Sequence, residues 1–285
     1  RISAPQGFDD GKFAGFVGSE DEGVAYKRNI AYVGDQYDFD RKSQWLDDDA
    51  SGHGSSYADQ EERIIPGNSF DYPFVHGQAG RDNGFGFVSM SDEDFEEMNW
   101  AAQDYSVLDL IFGEEKTTKR IYGKENKDFT IYTPEMREAI RKYLKGNNAK
   151  LIISGAYVGT DLELCGDTLA KSFAEDELHY QFRTNHASKL GNVSHTNEVR
   201  NNFTGEYQFE TGYSPDIYKV EAPDAIEPKG EDAKVLLRYS GNNKSAGVVY
   251  DGNYQSVILG IPFETLETKE YRIELMKQMF QFFNQ

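Results

Sequence analysis

The chain of 285 residues carries 49 acidic and 30 basic side chains, which gives a net charge of −19. This excess of negative charge disfavours nucleic acid and anionic membranes as partners, because both are themselves anionic. The single cysteine excludes an internal disulfide framework and a thiolate zinc site, and no apolar run reaches about 18 residues, so no transmembrane helix is predicted.

The N-terminal part of the chain has few regular patterns. Residues 1–29 are rich in glycine and aspartate and predict an irregular wrap over the surface. Farther along, Asp47, Asp49 and Ser51 match the first, third and fifth positions of a calcium-binding loop. The position of the bidentate glutamate is Ala58, so a solvated acidic turn is the alternative to a calcium site.

The next part of the chain alternates strands with other elements. Residues 67–80 predict a polar loop that contains His76, and residues 84–89 predict a strand. Ser91 then caps a predicted helix with an acidic first turn, and residues 107–112 predict another strand.

A second helix has clear boundaries in the sequence. Thr133 caps it, Pro134 occupies its first position and Gly146 ends it. A strand at residues 151–154 follows directly. Strand, helix and strand in this order predict a βαβ unit with parallel strands.

The C-terminal half predicts more antiparallel structure. Residues 163–228 predict an insertion or antiparallel edge strands, and three strands then form a meander at residues 234–239, 246–250 and 256–261. Thr268 caps a final amphipathic helix. Without internal repeats or linkers, all 285 residues predict a single α/β domain.

The segment 151–162, LIISGAYVGTDL, is typical of a strand that breaks into a sharp turn. Gly155 and Gly159 flank this turn as they do in a nucleophile elbow, but Tyr157 occupies the position at which such turns carry serine or cysteine. With the late Pro262 and Glu264 turn, this segment resembles the class I glutamine amidotransferase-like fold, a flavodoxin-like arrangement with a mostly parallel sheet and additional antiparallel strands.

The amidotransferase-like family uses a cysteine at the elbow and a His-Pro-Glu turn after a late strand. In this chain Glu264 matches the glutamate, whereas Tyr157 replaces the cysteine and Pro262 replaces the histidine. A phenol with a pKa of ~10 needs a strong base before it can attack, and proline cannot supply one. The resemblance therefore implies a retained scaffold in which the amidotransferase triad is degenerate.

A second resemblance covers nearly the whole chain. It rests on the segments WLDDDASGHGSSYAD, GNSFDYPFVHGQA, DLIFGEE, LIISGAYVGTDL, AIEPKG and VILGIPFET. These segments look like the C-terminal portion of large secreted bacterial proteins labelled xanthan lyase. The resemblance implies an extracytoplasmic module, secreted, periplasmic or at the cell surface, that is joined to other domains of the same protein.

Candidate site residues lie at the predicted carboxyl ends of the strands, where open α/β sheets bind ligands. They are Glu114, Glu115, Gly155, Tyr157, Gly159, Asp161 and Glu264, together with His76. Their carboxylates predict an acid/base pair or a site for a hard cation, and solvated strand-end acids are the alternative. His76 is a candidate base or a hydrogen-bonded surface residue. No cofactor is predicted.

Two functional hypotheses follow from these observations. In the first, the chain is a non-catalytic or accessory module of a secreted protein directed at a polysaccharide or the cell wall, with polysaccharide or peptidoglycan as its partner. In the second, it is a carbohydrate-active lyase or hydrolase that uses the crevice carboxylates and His76. The acidic strand ends and the many aromatic side chains, which can stack on sugars, favour the second hypothesis.

Overall fold

The computed structural model describes residues 13–18, 72–97, 105, 107–116, 118–119, 127–128, 130–199, 203–212 and 218–284. The strands are β1 (Phe13–Gly18), β2 (Gly86–Ser91), β3 (Val107–Gly113), β4 (Thr118–Lys119), β5 (Lys127–Asp128), β6 (Lys150–Gly155), β7 (Tyr180–Thr184), β8 (Asn192–His195), β9 (Glu206–Gln208), β10 (Ala225–Pro228), β11 (Ala233–Tyr239), β12 (Ser245–Asp251) and β13 (Gln255–Leu259). The α-helices are α1 (Tyr72–Asp82), α2 (Asp92–Glu97), α3 (Pro134–Leu144), α4 (Thr160–Leu164), α5 (Thr168–Ser172) and α6 (Lys269–Phe283).

A nine-stranded sheet forms the core, with the strand order β2-β1-β3-β6-β13-β12-β11-β8-β9. Strand β6 pairs in parallel with β3 on one side and with β13 on the other. The other neighbouring strands of this sheet pair antiparallel among the residues that the structure describes. A mixed α/β fold is thus confirmed.

The expectation of a mostly parallel sheet is wrong for the described strands. Short turns join β11 to β12 and β12 to β13, and a short turn can only return the chain antiparallel, since parallel strands need a longer crossover. The predicted meander is confirmed, and its strands β11, β12 and β13 pair antiparallel with one another. On the other side, β1 lies antiparallel between β2 and β3.

The predicted βαβ unit is confirmed in β3, α3 and β6. The Thr133 hydroxyl accepts a hydrogen bond from the backbone N–H of Met136, and Pro134 begins the helix as expected. Strands β3 and β6 then pair in parallel, and every residue of β3 is buried. Strand β6 lies between β3 and β13, so its carboxyl end lies between the carboxyl ends of these two parallel strands.

Two predictions of irregular structure are corrected. Residues 67–80 were expected to form a loop, yet α1 begins at Tyr72, and it packs against α6 and the first strands of the sheet. Its glycines weaken the local helix signal, but Gly77 is packed so closely on Phe87 that an added Cβ would lie 2.6 Å from the ring. Residues 13–18, expected to be irregular, form β1, because pairing on both edges overrides weak local propensity.

The remaining helices follow their sequence signals. Thr268 caps α6 by accepting a hydrogen bond from the N–H of Tyr271, as predicted, and Asp167 caps α5, which continues into a π-helical turn at Phe173–Glu177. The predicted calcium-loop residues Asp47, Asp49 and Ser51 lie outside the described residues.

Candidate functional site

The turn after β6 adopts the strand-to-helix geometry that its glycines predict. Strand β6 ends at Gly155, and Gly159 is the cap from which α4 begins. A Cβ at Gly155 would lie 2.9 Å from the Cβ of Phe112, and one at Gly159 would lie 2.9 Å from the ring of Phe182. Both glycines are therefore required by close packing of the backbone against neighbouring strands.

Tyr157 lies at the tip of this turn, but only 8% of its surface is exposed. The Lys116 ammonium group lies 4.7 Å from the centre of its ring. Burial raises the pKa of the Tyr157 phenol, and the negative charges of Glu114, Glu221 and Asp224 raise it further. The phenol is therefore fully protonated at neutral pH, and its hydroxyl makes no hydrogen bond to a described base.

Asp224, which lies just before β10, binds the turn from the side. Its Oδ2 atom accepts hydrogen bonds from the backbone N–H of Gly159 at 2.8 Å and of Thr160 at 2.5 Å. Its Oδ1 atom lies 2.5 Å from the Thr160 hydroxyl. An acidic side chain from a distant part of the chain thus satisfies the first N–H groups of α4, which a helix leaves without intrahelical partners.

The Asp224 carboxyl group is buried beside a second acid. Burial raises its pKa to about 7, opposed by the hydrogen bonds from Thr160 and Gly159 and supported by the nearby charge of Asp161. The geometry accommodates both protonation states. When the carboxyl group is neutral, its Oδ1–H can donate to Thr160 Oγ1 while Oδ2 still accepts the two N–H groups.

A pair of buried tyrosines contacts the turn, and the two tyrosine hydroxyl groups contact each other. The Tyr180 hydroxyl donates to the backbone oxygen of Val158 at 2.9 Å, and it lies 2.5 Å from the Tyr132 hydroxyl. Asp161 also links the turn to a neighbouring segment, since its Oδ2 atom accepts a hydrogen bond from the N–H of Ile131 at 3.2 Å. These polar groups are buried.

A second polar cluster lies within the core. His76 on α1 is fully buried, and its Nδ1–H group donates to Oδ2 of Asp109 on β3 at 2.6 Å. Its Nε2 atom lies 3.3 Å from Oε2 of Glu264, which belongs to the 3-10 turn Phe263–Thr265 after β13. The Tyr218 hydroxyl donates to the other oxygen of Glu264 at 2.6 Å.

The His76 ring carries a charge in this cluster. Burial alone would lower its pKa, but the charge and hydrogen bond of Asp109, with a further contribution from Glu264, raise it to about 9. At neutral pH the imidazolium donates to both carboxylates, which is the arrangement of a buried ion-pair network. The cluster joins α1, β3 and the turn after β13.

The structure divides the sequence-predicted candidates into separate groups. His76 and Glu264 meet in the core. Tyr157 lies at the turn after β6, and Glu114, which follows β3, lies close enough for its charge to act on the Tyr157 phenol. Glu115 is buried near the end of β3. Pro262 contributes backbone, since its oxygen accepts the N–H and the hydroxyl of Thr265.

Sequence reasoning missed Asp109, Tyr218 and Asp224. A signal for Asp109 was present, since one acid in the apolar strand VLDLIFG predicts a buried partner. Asp224 gave no signal, because its contacts are 64 and 65 residues away in the chain. Tyr218 is likewise paired with a residue 46 positions away.

Groups of three or more metal-ligating side chains with suitable geometry are absent from the part of the chain that the structure describes. Within the same residues, none of the helices has the length and apolar character needed to cross a membrane.

Comparison with known proteins gives little guidance. No family model and no curated protein matches the sequence. Among solved structures, the chain is similar to exo-beta-1,4-mannosidase Op5Man5 from Opitutaceae bacterium strain TAV5, at 12% identity and a TM-score of 0.31. The match covers 54% of this chain and 23% of the mannosidase chain. A similarity this distant carries no argument about fold family or function.

Proposed function

We propose that this chain is a non-catalytic accessory module of a secreted, multidomain protein directed at a polysaccharide or the cell wall. Its scaffold is a flavodoxin-like, class I amidotransferase-like one in which the triad has been replaced. Support for the scaffold comes from the parallel β3–β6–β13 core, the glycine-flanked turn after β6 and the position of Glu264 after β13.

The Asp224 carboxyl group at the turn is the observation that carries the proposal. A working elbow needs an activated nucleophile with a base in hydrogen-bonding contact. In this turn Tyr157 is buried and held in its protonated form, and Asp224 occupies the N–H groups of Gly159 and Thr160. A shared fold does not imply a shared function. The residues at the catalytic positions are therefore stronger evidence about activity than the retained scaffold is.

Turnover and binding assays on the same preparation test the proposal. We expect no hydrolysis of glutamine or of simple esters, and retention of the protein by an insoluble polysaccharide or by peptidoglycan in co-sedimentation. Hydrolysis that is lost in Tyr157→Phe would contradict the non-catalytic role, since this variant removes only the hydroxyl. If the protein binds none of the polysaccharides tested and does not bind peptidoglycan, the accessory role is contradicted.

A carbohydrate-active lyase or hydrolase is the second candidate, and the His76 cluster is the observation that favours it. A histidine between two carboxylates, with the Tyr218 hydroxyl on one of them, contains the groups that general acid–base catalysis uses. The cluster is buried, so a substrate would need the surrounding structure to open.

This second candidate is tested with xanthan and related uronate-containing polysaccharides. A lyase would produce the ultraviolet absorbance of an unsaturated uronate, and a hydrolase would produce new reducing ends. Activity that disappears in His76→Gln, while circular dichroism shows that the variant remains folded, would establish the candidate. Silence of the wild-type protein across the panel would remove it.

A further inference from the structure

The segment of residues 218–224, here called the strap, runs across the carboxyl ends of the three parallel strands. It begins at Tyr218 and ends at Asp224, directly before β10. The carboxyl ends of β3, β6 and β13 are the edge at which an open α/β sheet binds its ligands. The strap therefore lies at the place where the fold predicts a crevice.

The strap contacts the end of each parallel strand. After β13, Glu264 accepts the hydroxyl hydrogen bond of Tyr218 at 2.6 Å. After β3, Glu114 lies 3.4 Å from the backbone N–H of Glu221. After β6, the turn donates its N–H groups to Asp224, and the N–H of Asp224 in turn donates to the Gly260 oxygen at 3.0 Å.

These contacts lie among the residues that the sequence predicts for a binding crevice. Glu264 and Asp161 are buried, and Tyr157 is nearly so. The alternative of solvated strand-end acids is wrong for Glu115, Asp161 and Glu264, which are buried, whereas Glu114 is partly exposed. The crevice is occupied by the chain itself.

The strap has no helix or strand of its own to hold it in place. Its described backbone hydrogen bonds include Val220 N–H to the oxygen of Glu210, at 2.8 Å, and Ala187 N–H to the oxygen of Pro223, at 2.8 Å. Several of its links to the strand ends are made by side chains instead. Its side chains Tyr218, Val220 and Ala222 are buried, so opening of the strap must also expose apolar surface.

We propose that the strap is an autoinhibitory cover, which closes the crevice while Asp224 is bound to the turn and exposes Tyr157 when Asp224 leaves it. Asp224 is a positioning residue in this device, because it acts by holding the strap. The inference rests on the contacts of the strap alone. It holds for an accessory module and for an enzyme, so its failure would leave the proposed function standing.

Hydrogen exchange and hydroxyl-radical footprinting test the cover in the full chain. In Asp224→Ala we expect the amides of Gly159, Thr160 and Glu221 to exchange faster together, on the order of tenfold, because several hydrogen bonds are lost. Oxidation of Tyr157 by radicals should increase in parallel. Asp224→Asn should show no such increase, since its amide oxygen can accept the same two N–H groups.

Two further variants keep the test decisive. Thr268→Ala removes a comparable cap at α6, so it should speed exchange at Tyr271 without changing Glu221 or Tyr157. If Asp224→Ala does not fold, Thr160→Val removes the hydroxyl contact alone and should give a smaller increase at the same sites.

Two results would overturn the cover. In the first, exchange rises at Gly159 and Thr160 while Glu221 and Tyr157 stay unchanged, which means that the strap does not move as a unit. In the second, exchange rises equally in the amides of β12, which means that the whole sheet opens.

Discussion

Replacing Asp224 with asparagine tests whether burial or hydrogen bonding dominates the pKa of this carboxyl group. Asparagine keeps an oxygen for the N–H groups of Gly159 and Thr160, and its amide can donate to the Thr160 hydroxyl, so it resembles the neutral acid. Unlike aspartate, it cannot ionise. The variant therefore isolates the cost of placing a negative charge in this buried position.

The size of the effect follows from the pKa of Asp224. Burial raises this pKa from 3.8 to about 7, so between these values the folded state holds the proton more tightly than the unfolded chain does. The stabilisation by the neutral carboxyl is complete below pH 3.8 and is lost as the pH rises towards 7. At ~1.4 kcal/mol per pKa unit, the loss amounts to ~4 kcal/mol.

Urea unfolding followed by circular dichroism at several pH values provides the assay. The free energy of unfolding of Asp224→Asn, minus that of the wild type, should increase by up to ~4 kcal/mol between pH 4 and 7. Other carboxyl groups titrate in both proteins and cancel in the difference. A difference that does not change with pH, or that moves towards the wild type as the pH rises, would refute the reasoning.

Asp167→Asn is the matched control for this experiment. Burial raises the pKa of Asp167, but the hydrogen bonds from Arg137 and from the backbone of Leu169 and Ala170, with the charge of Arg137, together lower it. A lowered pKa means that ionised Asp167 stabilises the fold above its unfolded pKa and loses this effect as the pH falls. The control should therefore lose stability relative to the wild type as the pH rises from 3 to 5, opposite in sign to Asp224→Asn.

Three further predictions concern stability. His76→Gln leaves Asp109 and Glu264 without a cation and should lower the free energy of unfolding by ~3–5 kcal/mol at pH 7, measured by urea unfolding. The raised pKa of His76 is about 9, so the charged ring stabilises the wild type fully below pH 6.5 and this stabilisation is lost as the pH rises through 9. The difference between variant and wild type should therefore shrink as the pH approaches 9. A cost that is constant with pH would contradict a charged His76. Gly155→Ala should cost ~1–3 kcal/mol by overpacking against Phe112, and an unchanged unfolding midpoint would show that the turn relaxes. Thr268→Ala should cost ~1 kcal/mol through loss of the cap of α6, and a larger cost would indicate contacts beyond the cap.

The elements that sequence patterns predicted correctly have local causes. Helix α3 begins where Thr133 and Pro134 indicate, because a cap needs only the next three residues. The β11–β13 meander is predicted for the same reason, since its turns join neighbouring strands. In α1, by contrast, the packing of Gly77 on Phe87 overrides a weak helix signal, and this contact cannot be predicted from the helix alone.

The candidate site could be predicted only in part. The glycines of the turn and the position of Glu264 were readable, because they are fixed by strand ends. The partners of these groups were not, because Asp109, Tyr218 and Asp224 reach them from distant parts of the chain. Long-range polar contacts leave no periodic pattern in a sequence, so the contrast between an open crevice and a covered one could not be predicted.

The adjacency of β6 and β13 also constrains how the protein folds. The two strands are neighbours in the sheet, although residues 156–254 lie between them in the chain. The meander can assemble from nearby residues, whereas β13 reaches β6 only after a long loop is closed, which is entropically costly and slow. We therefore expect the pairing of β13 with β6 to form late in folding, after the β11–β13 meander.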